Sequence, residues 1–345
     1  MPADDITIGV LGYGYWGPNL ARNFARLEGA RLKYICDASP SKLEHAAKAH
    51  PGVALVSDHN AVLEDEEVQA VVIATPAVTH HALARAALVA GKHVMVEKPL
   101  SLEVADGEDL LRLVDATGLA LMVGHIFLYH PAIHYLKRYI DDGMLGDVYY
   151  AYSQWLNLGR IRREENCLWS LAPHAIASML YLLGGTPVSV VARGASYVTG
   201  DVEDVVFFTI YFEGGQAGNV HASWLDPRKV RTLTIVGSEK MVTFDDMDKE
   251  ATVRIFDKRV YPPVPEDVAG YDEVLRLHFG DDFVPDIEME EPLKLECRHF
   301  IDCIREGKRP LTDAAHALEV LKVLDAASRS LAAGGEPVKI ERESR

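Results

Sequence analysis

The chain has 345 residues, 48% of them apolar and 25% charged, which is material for two packed cores in an ordinary water-exposed protein. Its net charge of −16 excludes a general nucleic-acid or anionic-membrane binder, because either partner needs a basic face. Four scattered cysteines (Cys36, Cys167, Cys297, Cys303) show no metal-ligand or disulfide spacing, and no apolar run approaches a membrane span of roughly 18 residues.

The acidic start Met1-Pro2-Ala3-Asp4-Asp5 leads straight into an apolar strand over residues 6–11, so no secretion signal is expected and the cytoplasm is the expected compartment. The strand runs into Gly12-Tyr13-Gly14-Tyr15-Trp16-Gly17, and residues 18–27 read as a helix. In that setting the spacing G-x-G-x-x-G has a mechanical meaning. The first glycine permits a tight turn, the second lets a pyrophosphate approach the backbone, and the third lets helix and strand pack closely. The helix N-terminus then offers N–H groups and partial positive charge to the phosphates.

A second strand, residues 31–36, ends at Asp37, twenty positions beyond Gly17. A carboxylate there can accept hydrogen bonds from an adenosine ribose and repels a 2′-phosphate, which favours NAD over NADP. Asp37 as a solvated loop acid or a helix cap before Ser41 is the plainer alternative. Ser39 and Lys42 follow it and join the cofactor-binding candidates, with Lys42 able to soften the discrimination.

Residues 53–56, 69–74, 93–97 and 119–124 read as further strands, separated by helical stretches including 79–90 and 102–116. This alternation predicts a doubly wound parallel sheet, an α/β Rossmann domain over residues 1–125. Ligands bind such sheets at the carboxyl ends of the strands. Asp37, Thr75-Pro76 and Glu97-Lys98-Pro99 all fall there, on the edge that carries the glycine turn.

Beyond about residue 147 the texture changes. Residues 148–156, 188–198, 205–212, 216–224 and 231–236 read as longer strands, and Glu213-Gly214-Gly215-Gln216 is a hairpin signal. The second domain, residues 126–345, is therefore expected to be α+β, with a large open, mostly antiparallel sheet. Helices are expected over 173–183, 293–305 and 314–332. Pro262-Pro263-Val264-Pro265 and the acidic stretch 281–291 read as an excursion over the surface. An open sheet face makes a homo-oligomer the expected state, a tetramer ahead of a dimer.

The glycine turn, Thr75-Pro76 with His80, and Gly91 to Pro99 ending in Glu97-Lys98-Pro99 together resemble the glucose-fructose oxidoreductase / inositol dehydrogenase / rhizopine catabolism (Gfo/Idh/MocA) family. The resemblance extends to Phe300-Ile301-Asp302-Cys303-Ile304-Arg305-Glu306-Gly307 and Pro310-Leu311-Thr312-Asp313. It implies a catalytic Lys98 at the nicotinamide; from the residues alone, a surface lysine paired with Glu97 is the plainer reading. His80, Glu97, Lys98 and Pro99 join the glycines as cofactor-binding candidates, and Tyr13, Tyr15 and Trp16 either flank the cofactor or simply cover the turn.

Family members carry Asp-x-Gly-x-His where this chain has Ser170-Leu171-Ala172-Pro173-His174. His174 is thus the acid/base candidate, with an imidazole suited to proton transfer near neutrality. Ser170 and Ala172 depart from the pattern, removing a carboxylate that would orient the ring. Arg160, Arg162, Arg163 and Asn166 precede Trp169 in a loop that could grip a substrate anion or simply balance Glu164 and Glu165. Arg163, Asn166, Trp169, His174 and Lys98 are the substrate-binding candidates. His125, His130 and His134 read as structural, and no metal site is expected.

The resemblance implies an NAD-dependent dehydrogenase acting on a secondary hydroxyl of a sugar. The stretches Gly-Tyr-Gly-Tyr-Trp-Gly-Pro-Asn and Leu-Trp-Ser-Leu-Ala-Pro-His resemble the nucleotide-sugar subgroup, which acts at C3 of UDP-N-acetylglucosamine or its uronic acid. A free-sugar or inositol dehydrogenase, a cofactor-binding regulator without chemistry and an NAD-dependent glycosidase are the alternatives.

Overall fold

A computed structural model describes residues 5–159, 161–162, 165–261 and 276–341. The chain divides into two compact units. One runs to residue 130 and takes in residues 290–322; the other comprises residues 131–289 and the chain from 323 onward.

The first unit is built on six parallel strands: β1 (Ile6–Leu11), β2 (Ala30–Cys36), β3 (Ala54–Val56), β4 (Ala70–Ile73), β5 (His93–Val96) and β6 (Leu121–Val123). Their order is β3-β2-β1-β4-β5-β6, and every neighbouring pair is parallel. Helices α1 (Gly17–Arg26), α2 (Pro40–Ala49), α3 (Asn60–Leu63), α4 (His80–Val89) and α5 (Val104–Thr117) make the connections. Covered on both faces, the central strands are apolar throughout: β1 and β4 bury every residue. The strand order reverses between β1 and β4, and a crevice opens at such a switch point beyond the strand ends.

The second unit begins with α6 (Pro131–Asp141) and β7 (Val148–Leu158), followed by α7 (Cys167–Leu183). Then come β8 (Pro187–Ala195), β9 (Val205–Phe212), β10 (Ala217–Ser223), β11 (Leu225–Gly237), β12 (Met241–Asp245), β13 (Val253–Tyr261) and β14 (Arg276–Phe283). With the short β15 (Val338–Lys339) they form a nine-stranded sheet, order β14-β13-β12-β11-β7-β10-β9-β8-β15. All pairs are antiparallel except β7 with β10.

The expected hairpin joins β9 to β10, with Phe212 donating to Gln216 at 3.0 Å and Gly215 at φ +86°. Strand β9 alternates strictly between buried and more open residues, so the sheet has two unlike faces. Val206, Phe208 and Ile210 share the buried face with Ala151 and Trp155. Tyr150, Tyr152, Phe207 and Tyr211 stand exposed on the other.

Three expectations change. The acidic stretch from residue 281 is strand as far as Phe283, where Asp282 pairs with Arg254 of β13 at 2.8 Å. Charged side chains suit an edge strand, which must resist pairing with other chains. Residues 284–291 have no regular structure; Pro262-Pro263-Val264-Pro265 lies outside the described residues. Helix α8 (Pro292–Glu306), expected in the second domain, groups with the first unit. Its Leu293, Cys297, Phe300 and Ile301 join the core of Ile8, Val10 and Phe24, with the Phe24 and Phe300 rings 6.5 Å apart edge to face. Helix α9 (Ala314–Ala332) crosses the division. No described helix is long and apolar enough to cross a membrane.

Candidate active site

In the first unit the glycine turn packs as its spacing requires. Gly12 has φ +95°, and a Cβ there would lie 2.7 Å from the Ala74 backbone. A Cβ on Gly17 would lie 2.1 Å from the Gly12 carbonyl oxygen. Both positions are closed to a side chain. Gly14 differs: a Cβ there would meet only the Lys42 ammonium, 3.9 Å away. The middle glycine therefore faces open space beside a cation at the start of α1, a cradle shaped and charged for a pyrophosphate.

Asp37 is part of that cradle. Its carboxylate accepts the backbone N–H of Tyr13 at 2.7 Å and of Ser39 at 2.9 Å, and pairs with Lys42 at 3.2 Å. Burial works to raise its pKa, but the Tyr13 and Ser39 N–H groups and the Lys42 ammonium hold it below the ordinary carboxyl value. The acid is thus ionised and braces the turn. Tyr13 is buried edge-on to His45 and His50, whereas Tyr15 is exposed.

Glu97, Lys98 and Pro99 emerge from the carboxyl end of β5, one strand over from Thr75 at the end of β4. The Lys98–Pro99 peptide is cis. His80, at the start of α4, ties the two tips together, its ring nitrogens 2.7 Å from the Pro99 carbonyl and 2.9 Å from that of Thr75. Burial holds His80 below the ordinary imidazole pKa, against those two carbonyls, which favour the charged ring. Thr79 secures the same corner by donating to the Thr75 hydroxyl at 2.7 Å.

Lys98 is half-buried, and its charge bears on Glu97, His80 and His125 together. The Glu97 carboxyl packs against Gly124, where a Cβ would come within 3.2 Å of its Oε2. Burial pushes that carboxyl up to about 7, against the opposing pull of Lys98. Behind it Glu296 of α8, 1% exposed, is pushed well above the carboxyl range by burial and by Glu97. His125, also 1% exposed, has no hydrogen-bond partner on either ring nitrogen among the described residues. Its ring meets that of His316 edge-on at 5.8 Å, and burial holds it well below the ordinary imidazole value. The lysine therefore lies near a carboxyl that titrates near neutrality and imidazoles that burial disposes to the neutral form.

In the second unit His174 lies on α7. Asn166 caps this helix, its side chain accepting the Trp169 N–H at 3.2 Å and donating to Glu203 at 2.8 Å. The Trp169 indole donates to Ser328 at 3.0 Å. Both candidates thus have positioning duties on α7. Arg162 pairs with Glu165; Arg160, Arg163 and Glu164 lie outside the described residues. Cys167 is buried, with its thiol pKa pushed up by burial, and carries no reactive thiolate.

The His174 imidazole stacks on Trp155 of β7, ring centroids 5.3 Å apart and planes 26° apart. Trp155 is fixed in turn: its indole donates to Ser153 at 2.9 Å, and Ser153 donates to the Thr232 carbonyl at 2.6 Å. Glu296, His316, Trp155 and Arg231 are residues that the motifs did not single out. Glu296 of α8 and His316 of α9 lie near Glu97 and His125 in the first unit, Trp155 of β7 and Arg231 of β11 lie beside His174 in the second, and only long-range packing could reveal them. Among the described residues no His, Cys, Asp or Glu cluster could hold a metal ion.

Residues 6–125 match the family described as "Oxidoreductase family, NAD-binding Rossmann fold", and residues 133–243 match the "GFO/IDH/MocA C-terminal domain". The scyllo-inositol 2-dehydrogenase (NAD(+)) of Bacillus subtilis is 28% identical over 96% of this chain and 95% of its own length. The UDP-N-acetylglucosamine 3-dehydrogenase of Acidithiobacillus ferrooxidans is 29% identical over 81% of this chain and 86% of its own. A solved structure of the latter enzyme, GnnA, superposes with a TM-score of 0.80 at 25% identity, covering 95% of this chain and 98% of that one.

Proposed function

The chain belongs to the GFO/IDH/MocA family of NAD-binding oxidoreductases, and on that premise we propose that it oxidises a ring hydroxyl of a sugar to a ketone, most specifically C3 of a UDP-N-acetylhexosamine or its uronic acid. The observation that carries the reading is the edge where an open glycine cradle, Asp37 and Glu97-Lys98-Pro99 meet at the ends of β1, β2 and β5. Gly12, Gly14 and Gly17 would hold the pyrophosphate of NAD with Lys42 beside them, and Asp37 and Ser39 the adenosine ribose. Thr75, Pro76, His80, Glu97 and Pro99 would line the nicotinamide end. When bound, NAD supplies the hydride acceptor.

The protein's own work is on the proton. Lys98, a donor with three N–H groups, would hold the substrate hydroxyl and sharpen its acidity. Glu97, poised near 7, is a neighbouring group that can carry a proton at neutral pH. His174 would accept the hydroxyl proton as the ketone forms, its ring held by Trp155. Positioning and proton transfer together would supply the rate gain. Tyr150, Tyr152, Phe207 and Tyr211 on the open face of the sheet support assembly with further copies of the chain, a tetramer ahead of a dimer.

One observation favours a second reading: the inositol dehydrogenase of Bacillus subtilis matches nearly the whole chain. Incubating the protein and NAD with UDP-sugars, UDP-sugar acids, free sugars and inositols, and following nicotinamide absorbance, separates the two. NADH formed from UDP-N-acetylhexosamines supports the leading reading, turnover of inositol alone the second, and no NADH from any of them rejects both.

A further inference from the structure

Strands β5 and β6 leave the first sheet side by side. Val96 pairs with Val123, Gly124 donates to the Val96 carbonyl at 2.8 Å, and a Cβ on Gly124 would lie 3.4 Å from the Glu97 Cα. The next residues on the two chains are Lys98 and His125, and the Lys98 charge reaches the His125 ring. His316 is brought to the same ring by a separate set of bonds. Met122 bridges Asp313, the Val123 N–H donates to the Thr312 carbonyl at 2.8 Å, and the Thr312 hydroxyl donates to the Val123 carbonyl at 2.7 Å. These fasten the entry of α9 along β6, and Asp313 accepts the His316 N–H at 2.9 Å. The His125 and His316 rings then meet edge to face, their centroids 5.8 Å apart.

The nitrogens of these two rings set them apart. His80 commits both of its nitrogens to backbone carbonyls, and His93 accepts the Ala120 N–H at 3.0 Å, so those rings are fixtures. His125, 1% exposed, bonds neither nitrogen to protein, and the buried Nε2 of His316 has no partner either, among the described residues. Buried polar atoms are ordinarily paired, so three unbonded nitrogens on two touching rings call for a reason beyond packing. A neutral imidazole supplies one, because it accepts at one nitrogen and donates from the other and so can pass a proton through. The charged groups set against the rings are Lys98 at the end of β5 and Asp313 ahead of α9, with Glu97 beyond Gly124. Burial and the charges of His316 and Lys98 keep His125 from holding a proton, while Asp313 works against burial at His316. The order runs outward, from a half-buried lysine through a buried ring to a half-buried one.

We propose that His125 and His316 form a proton relay that carries the proton of the oxidised hydroxyl from Lys98 to solvent. Lys98 takes that proton and gives one of its own N–H protons to the unprotonated nitrogen of His125. His125 releases the proton on its other nitrogen to His316, and His316 releases one to water. The hydride leaves the same carbon for NAD, so the sugar is oxidised, NAD is reduced and one proton reaches solvent. Ring nitrogens without bonds to protein let the imidazoles turn and regain their starting tautomers. The proposal deepens the sugar-oxidation reading and rests on it for the source of the proton. It gives that proton an outlet wholly within the first unit, in parallel with His174.

The test has two arms. In the NAD-loaded protein without sugar, NMR follows the His125 and His316 ring signals against pH, in wild type and in Lys98→Met. Loss of the ammonium should move His125 protonation upward by about one pH unit, and that of His316 by less. A His125 titration that does not move overturns the proposal. The second arm measures turnover of whichever sugar wild type oxidises, in His125→Asn, His125→Gln and His316→Ala. The rate of NADH formation should fall by about tenfold to a hundredfold, with KM and NAD affinity unchanged. Added imidazole should restore most of the His316→Ala rate, because the half-buried ring leaves a gap that solvent can reach; lost packing would not be restored in this way. Wild-type rates in the folded variants, or a His316→Ala loss that imidazole leaves untouched, overturn the relay, and His316→Ala decides alone if the His125 variants do not fold. Coupled titrations in a protein that oxidises no sugar would retain the Lys98–His125–His316 line and reject the oxidation reading. Sugar oxidation at wild-type rates in every variant would do the reverse.

Discussion

Asp37 Oδ2 accepts the backbone N–H of Tyr13 at 2.7 Å, so the acid at the tip of β2 and the first variable residue of the glycine turn are one structural unit. Replacing Asp37 by alanine leaves that buried N–H without an acceptor, which costs about 1–3 kcal/mol. Asp37→Ala should therefore melt earlier, bind NAD more weakly and discriminate less against NADP. Asp37→Asn keeps an acceptor and loses the charge, so it should relax NADP discrimination with a smaller loss of Tm. Thermal melts and the Kd for each cofactor decide this; unchanged cofactor selectivity in both variants rejects the ribose role.

The glycines of the turn should separate into two kinds. Gly17→Ala drives a Cβ into the Gly12 carbonyl and should cost about 3 kcal/mol of stability. Gly14→Ala has only Lys42 nearby and should fold with nearly wild-type Tm. Its loss should fall on NAD affinity, because the methyl group occupies the pyrophosphate's approach. Equal Tm losses in the two variants would contradict this division.

Glu97 should make stability depend on pH in a defined direction. An acid whose folded pKa, about 7, stands above its ordinary 4.5 binds its proton more tightly in the folded protein. Its contribution therefore falls as pH rises from about 4.5 to 7 and is level above that. Glu97→Gln removes this titration, so the variant should gain stability relative to wild type between pH 5 and pH 8. Parallel curves for Tm against pH would show that the carboxyl is not held neutral.

The exposed aromatic face of the second sheet should be an assembly surface. Tyr152→Glu combined with Tyr211→Glu should leave the melting of the subunit nearly unchanged, since both side chains are exposed. It should shift sedimentation from the assembled species to the monomer. A wild-type protein that sediments as a monomer rejects the assembly, and an unchanged assembly in the double variant places the interface elsewhere.

Much of this was legible in the sequence because it is written in short-range signals. The strand–turn–helix around Gly12 to Gly17, the acid at Asp37 and the lysine of Glu97-Lys98-Pro99 each sit within a few residues of what defines them. Strands β13 and β14 were not legible, since charged residues such as Arg254, Asp257, Asp281 and Asp282 obscure the alternation at a sheet edge. Glu296 was hidden for another reason. Its burial depends on α8 packing into the core of Ile8, Val10 and Phe24, at the far end of the sequence. The Trp155, His174 and Arg231 stack likewise needs the β7–β11 register, which no local pattern reports.

The account turns on Lys98 as the residue that presents a hydroxyl for oxidation. Its most direct test is Lys98→Met, with NAD binding measured by calorimetry and NADH formation followed on whichever sugar wild type oxidises. Retained NAD affinity with turnover reduced by at least about a hundredfold, as expected for loss of a positioned proton-transfer group, is the predicted result. Wild-type turnover by the methionine variant would contradict the assignment.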